Sequence, residues 1–146
     1  MSKNWERFIH VRSAKFAALP GEEEEIVNPG MYGRALSLYL QEKLAEKGHV
    51  VPTFNSEDWG WWVEVTGPPF PFGVCVYCGE TYEGTLEFAC MVGLISRTKW
   101  SWKQRKKVDA APWAQKLFDD LVAIFESDPQ VELVAITEDC PVGYET

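Results

Sequence analysis

The sequence predicts an α+β fold: a two-layer sandwich in which a mainly antiparallel sheet of five to six strands carries two helices on one face. Two segments repeat apolar residues at helical spacing, and the remaining apolar segments are short and alternate in the manner of strands. Three of those strands follow one another with connections too short for a crossover, which indicates an antiparallel meander. Since two helices cannot cover both sides of such a sheet, we expect one sheet face to be partly exposed.

The first predicted elements are a strand, an acidic loop and a helix. Residues 7–19 alternate loosely until Pro20-Gly21 interrupts them. The next segment, Glu22 to Glu25, is a run of four carboxylates. We expect this run to form a solvated loop because like charges repel, and the alternative is an acidic patch for a basic partner or a divalent cation.

The first helix is predicted over residues 31–47. Tyr32, Leu36, Leu40 and Leu44 recur every four residues, and Gly48 provides a stop signal. The segment Gly30 to Arg34 opens this helix, and its unpaired N–H groups are a weak candidate for meeting an anion. An extended segment over 49–52 follows the helix.

The second half of the chain contains the meander, a helix and a last strand. Strands are predicted over 59–66, 72–78 and 85–96, with the proline-rich turn 67–71 between the first two. In the first of these strands, strict alternation places Trp59 and Trp61 on one face and Trp62 on the other. A second helix is predicted over 111–126, with Asp109 as its cap, and a strand over 131–136. The chain of 146 residues is expected to form one domain over 1–146, with a polar tail at about 137–146.

Composition excludes several classes of protein. The chain has 22 acidic and 14 basic residues, a net charge of −8, which argues against general binding to nucleic acid or anionic membranes. We find no signal peptide and no apolar stretch long enough for a membrane span, so we expect a cytoplasmic protein. Aromatic residues make up 14% of the chain, a high share that serves either a core or a binding surface.

The sharpest local motif is Cys75-Val76-Tyr77-Cys78-Gly79. It resembles half of a zinc knuckle, but the remaining potential ligands, Cys90, Cys140, His10 and His49, form no second closely spaced pair. Within a strand, Cys75 and Cys78 would also point to opposite faces. We interpret the two thiols as structural, with metal binding and a redox pair as the alternatives, and we expect no cofactor.

Residues 97–107 form a basic segment with aromatic residues inside it. Six of the 14 basic residues lie here without an acid, which leaves eight basic and 22 acidic residues, or −14, in the rest of the chain. Three readings remain open: a self-neutralising loop, a protein-binding surface and a nucleic-acid site. Its candidate binding residues are Trp100, Trp102, Lys103, Arg105, Lys106 and Lys107.

The third candidate is the acidic and aromatic segment from Glu57 to Trp62. Glu57 and Asp58 stand before a strand that contains Trp59, Trp61 and Trp62. Paired carboxylates suit a catalytic or metal site, yet acids commonly occupy the turn into a strand. The tryptophans suit a core with a cross-strand ladder or a ligand or partner surface. The two histidines are too few for most histidine-based chemistry, and we expect His49 to cap the carbonyls that end the first helix.

Two stretches carry a resemblance. The segment 22–33 (EEEEIVNPGMYG), together with 57–62 (EDWGWW), resembles a group of small uncharacterised bacterial proteins, and the similarity covers about a third of the chain. That group implies no catalytic residue. In size and charge alone, the chain also resembles some immunity proteins of bacterial toxin systems.

Together, these observations favour a non-enzymatic cytoplasmic domain that binds another macromolecule, most simply a protein, with neutralisation of a toxin as one version. A homodimer through an exposed sheet face is compatible with this hypothesis. The alternatives are a small metal or redox protein that uses Cys75 and Cys78, and a nucleic-acid binder that uses the basic segment 97–107.

Overall fold

A computed structural model describes residues 4–81, 83–94 and 110–142. The described strands are β1 (Phe8–Arg12), β2 (Phe54–Glu57), β3 (Gly60–Glu64), β4 (Gly73–Glu80), β5 (Leu86–Gly93) and β6 (Glu132–Thr137). Two helices lie within these described ranges, α1 (Arg34–Glu46) and α2 (Ala111–Ser127). Short 3-10 turns lie at Asn4–Glu6, Ala14–Phe16 and Glu22–Glu24.

The six strands form one sheet in the order β2-β3-β4-β5-β1-β6, and every neighbouring pair is antiparallel. The predicted α+β class is therefore confirmed. The meander has four strands, β2 to β5, because the polar segment 54–57 forms an edge strand beside β3. This strand was not predicted, since Phe54-Asn55-Ser56-Glu57 lacks the apolar alternation that marks a strand. The segment 49–52 contributes a single bridge, between Val50 and Thr66.

Both helices pack on one face of the sheet, which we call the inner face. Strand alternation places Val63, Val76, Cys78 and Phe88 on that face, where they are buried. The helices supply leucines and phenylalanines at helical spacing to the same core. The principal helical residues of this core are Leu36, Leu40, Leu44, Leu117, Leu121 and Phe125. We call the opposite side of the sheet the outer face.

The expectation of a solvated glutamate run is wrong at its first residue. Glu22 is 1% exposed, whereas Glu23, Glu24 and Glu25 are exposed. One carboxylate oxygen of Glu22 accepts a hydrogen bond from the backbone N–H of Leu19 at 2.9 Å. Because the 3-10 turn directs this side chain inward, the first carboxylate is buried against backbone N–H groups, while the next three lie at the surface.

The other oxygen of Glu22 binds the start of α1. It accepts hydrogen bonds from the backbone N–H groups of Gly33 (2.8 Å) and Arg34 (2.9 Å). Gly33, the residue before the helix, has no side chain to provide a cap. The segment Gly30 to Arg34 was the weak candidate for meeting an external anion. Two of its N–H groups instead donate to the chain's own Glu22 carboxylate.

Trp61 joins this helix start to the sheet. Its indole nitrogen donates to the carbonyl of Met31 at 2.8 Å. A Cβ on Gly33 would lie 2.6 Å from Trp61 Cδ1, so only a glycine lets the indole pack this closely. Trp61 is thus a core residue, 2% exposed, and not part of a binding surface. Within the described residues, neither helix is long and apolar enough to cross a membrane.

Candidate functional site

A row of aromatic side chains crosses the outer face. The ring of Trp59 lies 5.4 Å from that of Tyr77 on β4, and the Tyr77 ring lies 5.8 Å from that of Phe8 on β1. All three residues are half-buried. The row spans β5 because the residue paired with Tyr77 on that strand is Ala89, whose small side chain leaves room above it.

The predicted placement of Trp59 on the same face as Trp61 is wrong. Trp59 lies in the turn between β2 and β3, so the alternation of β3 does not extend to it. That turn carries Trp59 over the outer face, while Trp61 enters the core. The tight turn depends on Gly60, where a Cβ would lie 2.2 Å from the carbonyl oxygen of Val76.

Trp62 extends the aromatic surface along β3. It pairs in register with Cys75 on β4, which in turn pairs with Met91 on β5. The indole lies over two glycines: a Cβ on Gly73 would be 2.9 Å from Trp62 Cη2, and a Cβ on Gly93 would be 2.8 Å from Trp62 Cζ3. The missing side chains let the ring lie close to the sheet.

Glu57 and Asp58 stand beside this aromatic row, at the hairpin that joins β2 to β3. Glu57, the last residue of β2, accepts a hydrogen bond from the side-chain amide of Asn55. Asp58 is exposed in the turn, and its backbone carbonyl accepts a hydrogen bond from Asn28 at 2.6 Å. The two acids therefore place negative charge next to Trp59.

A charged cluster lies across β1, β5 and β6, and sequence reasoning missed it. Glu87 Oε1 is 2.9 Å from His10 Nε2 and 3.3 Å from Arg12 Nη2. Arg12 also pairs with Glu132 at 3.3 Å. The available signal was the alternation of His10 and Arg12 with the apolar Ile9 and Val11, since alternating residues share a sheet face.

The structure does not bring Cys75 and Cys78 together into a ligand pair. Both are buried in β4, but Cys78 pairs with Phe88 on the inner face and Cys75 with Met91 on the outer face. Burial raises the pKa of the Cys78 thiol to about 12, and burial also raises the pKa of the Cys90 thiol. Among the described residues, no group of three or more His, Cys, Asp or Glu side chains is arranged to hold a metal ion.

His49 does not cap the end of α1 with its ring. Its backbone N–H donates to the carbonyl of Leu44 at 3.0 Å, and its Nε2 lies 2.7 Å from Asp120 on α2. Lys116, one turn earlier on α2, donates to the same Asp120 oxygen at 2.9 Å. Burial raises the pKa of Asp120, but the hydrogen bonds from Lys116 and His49 outweigh it and hold the pKa below its ordinary value.

The basic segment 97–107 lies outside the described residues. So do its candidate residues Trp100, Trp102, Lys103, Arg105, Lys106 and Lys107, and the predicted cap Asp109. Of the other candidates, Glu57, Asp58 and Trp59 lie at the hairpin between β2 and β3, Trp62 lies further along β3 on the outer face, and Trp61 lies in the core. No protein-family model, curated protein or solved structure matches this chain.

Proposed function

We propose that this chain is a cytoplasmic protein-binding domain that docks a basic protein on its outer face, around Trp59. The observation that carries the proposal is the half-buried aromatic row of Trp59, Tyr77 and Phe8, which lies on the side of the sheet opposite the helices. Trp62 and Met91 widen the same surface.

The chemistry of this surface suits a protein partner. Trp, Tyr, Phe and Met are enriched at the centres of protein interfaces, because they provide large contact areas at a low entropic cost. Trp59 is well suited to act as an anchor, since its contact with Tyr77 holds the indole in place before a partner arrives.

Charge supports a basic partner. Glu57 and Asp58 directly precede Trp59, and the whole chain carries −8. Acidic groups beside an aromatic centre, together with a negative net charge, accelerate encounter with a basic protein and make the association sensitive to salt. Neutralisation of a basic bacterial toxin is one concrete form of this proposal.

The enzymatic and metal alternatives receive less support from the geometry. Cys75 and Cys78 point to opposite faces of β4, and a buried thiol whose pKa is near 12 is a poor nucleophile at neutral pH. Glu57 is engaged by the side-chain amide of Asn55.

Affinity capture tests the proposal with two matched tryptophan variants. Trp59→Ala removes the anchor, whereas Trp113→Ala removes an exposed tryptophan of α2 and is the control. Immobilised wild-type protein is expected to recover a basic protein from nuclease-treated bacterial lysate, with recovery falling between about 50 mM and about 300 mM salt. Trp59→Ala should reduce recovery about tenfold, and Trp113→Ala should not.

Three outcomes would count against this function. The first is that no protein is recovered at either salt concentration. The second is equal recovery by the two variants, which would show that Trp59 does not contribute to binding. The third is recovery from an untreated lysate that disappears once the lysate is treated with nuclease, which would favour the nucleic-acid alternative and the basic segment 97–107.

A further inference from the structure

A cleft of about 470 Å³ opens between the turn that follows β3 and the first turn of α2. Its walls are mainly apolar, and the side chains that matter here are Val65, Pro68, Phe72, Pro112 and Trp113. The volume lies within the range of pockets that hold small organic ligands. Trp113 is 41% exposed, so a large apolar ring faces water at the mouth of the cleft.

The cleft walls are stiffened before any ligand binds. Proline fixes its own backbone and restricts the residue before it, and the turn 67–71 contains three prolines. Phe70 in that turn contacts Phe72 edge to face at 5.8 Å and Trp113 at 5.5 Å. These ring contacts hold Trp113 against the turn, so a planar ligand would meet a preformed aromatic wall.

Lys116 supplies the positive charge of the cleft, and His49 and Thr66 are its other polar side chains. His49 and Lys116 are among its lining residues, and both bind Asp120 behind them. The ionised Asp120 accepts from Nε2 of His49 and so fixes the orientation of the imidazole. The Lys116 side chain is 63% exposed, so its ammonium group can reach a second anion. Among the described residues, the lining contains no carboxylate.

We propose that this cleft binds a small aromatic carboxylate, with its ring against Trp113, Pro68 and Phe72 and its carboxylate at Lys116 and His49. The aromatic wall selects a planar apolar body, Lys116 selects the negative charge, and the imidazole of His49 offers a polar contact beside it. Because Lys116 is shared with Asp120, it contributes charge preference, and the apolar walls contribute most of the affinity.

This site is separate from the proposed docking surface. Trp59 precedes β3 and Thr66 follows it, so the two sites lie roughly 20 Å apart along the strand at about 3.3 Å per residue. A ligand in the cleft therefore does not require a protein on the outer face. Variants at Trp113 and Lys116 test the cleft, and variants at Trp59 test the surface.

The experiment uses two probes that differ in charge, 2-naphthoate and the neutral 2-naphthalenemethanol. Calorimetric titration of the full chain is expected to show one saturable site for 2-naphthoate. Trp113→Ala should weaken 2-naphthoate binding about tenfold. Lys116→Gln should weaken 2-naphthoate about fivefold while changing the neutral probe less than about twofold. The control is Lys47→Gln, which changes an exposed lysine outside the cleft.

Each other outcome overturns the proposal. If 2-naphthoate shows no saturable binding up to about 5 mM, near the weakest affinity expected of such a ligand, the cleft is not a binding site for it. Equal binding by wild type and Trp113→Ala places the probe elsewhere. If Lys116→Gln weakens the binding of both probes equally, Lys116 does not select the carboxylate. Circular dichroism and urea unfolding confirm folding of each variant, and Lys116→Gln changes an exposed side chain that the core does not need.

Discussion

The carboxylate of Glu22 lies 2.8 Å from the backbone nitrogen of Gly33 and joins the acidic loop to the start of α1. The same oxygen accepts from Arg34, so two of the N–H groups left unpaired at a helix start are satisfied from outside the helix. The negative charge also lies at the positive end of the helix dipole. A residue eleven positions earlier in the chain thereby performs the role of a missing N-cap.

Glu22→Gln is expected to destabilise the fold by about 1–3 kcal/mol. Both carboxylate oxygens accept hydrogen bonds from backbone N–H groups. In a glutamine, the side-chain NH2 group would replace one of these oxygens, so it would face a backbone N–H donor instead of accepting from it. Urea unfolding measures the change. Glu24→Gln, at an exposed neighbour, is the control and should stay within about 0.5 kcal/mol of wild type. Equal effects at the two positions would contradict the capping role.

Gly93→Ala tests whether Trp62 lies closely over the sheet. The added methyl would meet Trp62 Cζ3 and Cys75 Sγ, each at 2.8 Å, so we expect a loss of about 1–3 kcal/mol. In a Trp62→Ala background the methyl no longer meets the indole. Gly93→Ala should then lower the free energy of unfolding by at least about 0.5 kcal/mol less than it does in the wild type. Additive effects in this double-mutant cycle would show that the indole does not cover Gly93.

Asp128 should make stability depend on pH. Its hydrogen bonds from Lys15, from the backbone of Gln130 and from Tyr39 lower the pKa to about 2, from the ordinary 3.8. A lowered folded-state pKa contributes stability above the unfolded-state value and loses it as the pH falls. The difference in unfolding free energy between wild type and Asp128→Asn should therefore be constant above about pH 5 and shrink between about pH 4 and about pH 2.

Asp119→Asn provides the matched control for that titration, because Asp119 is an exposed acid on α2. The pH dependence due to Asp128 is the part of the Asp128→Asn difference that exceeds the Asp119→Asn difference. If the Asp128→Asn difference were independent of pH, the ion pair between Lys15 and Asp128 at 2.8 Å would not form in solution.

Thiol labelling separates the four cysteines. Cys75, Cys78 and Cys90 are buried, and Cys140 is half-buried. At about pH 8 the thiolate is the reactive form, so Cys78, with its pKa near 12, should be almost inert in the folded protein. One fast-reacting thiol is expected, and Cys140→Ser should abolish it, while urea should expose the others. Two fast thiols at Cys75 and Cys78 would instead support the redox alternative.

The periodic parts of the fold could be predicted from the sequence. The leucine spacing of α1 and the alternation of β4 and β5 report local burial, and local burial follows directly from the order of residues along the chain. The two-layer arrangement followed from counting helices against strands.

The contacts between distant residues could not be predicted in this way. Glu22 looks like its exposed neighbours, and only the turn geometry directs it to Gly33. Trp59 looks like the next alternating residue of β3, but the turn ends the alternation before it. The pairing of His49 with Asp120 joins positions 71 residues apart, and no local pattern marks such a pair. Functional assignments depend on contacts of this kind.

Photo-cross-linking from position 59 tests the docking surface most directly. Trp59→p-benzoylphenylalanine places a reactive group in the aromatic row, and the same substitution at Leu38, an exposed apolar residue of α1, is the control. We expect a discrete heavier adduct from position 59 and none from position 38. An adduct of twice the chain mass would identify a second, equally acidic copy as the partner and would contradict docking of a basic protein. Identical adducts from both positions, or none from position 59, would contradict docking on the outer face.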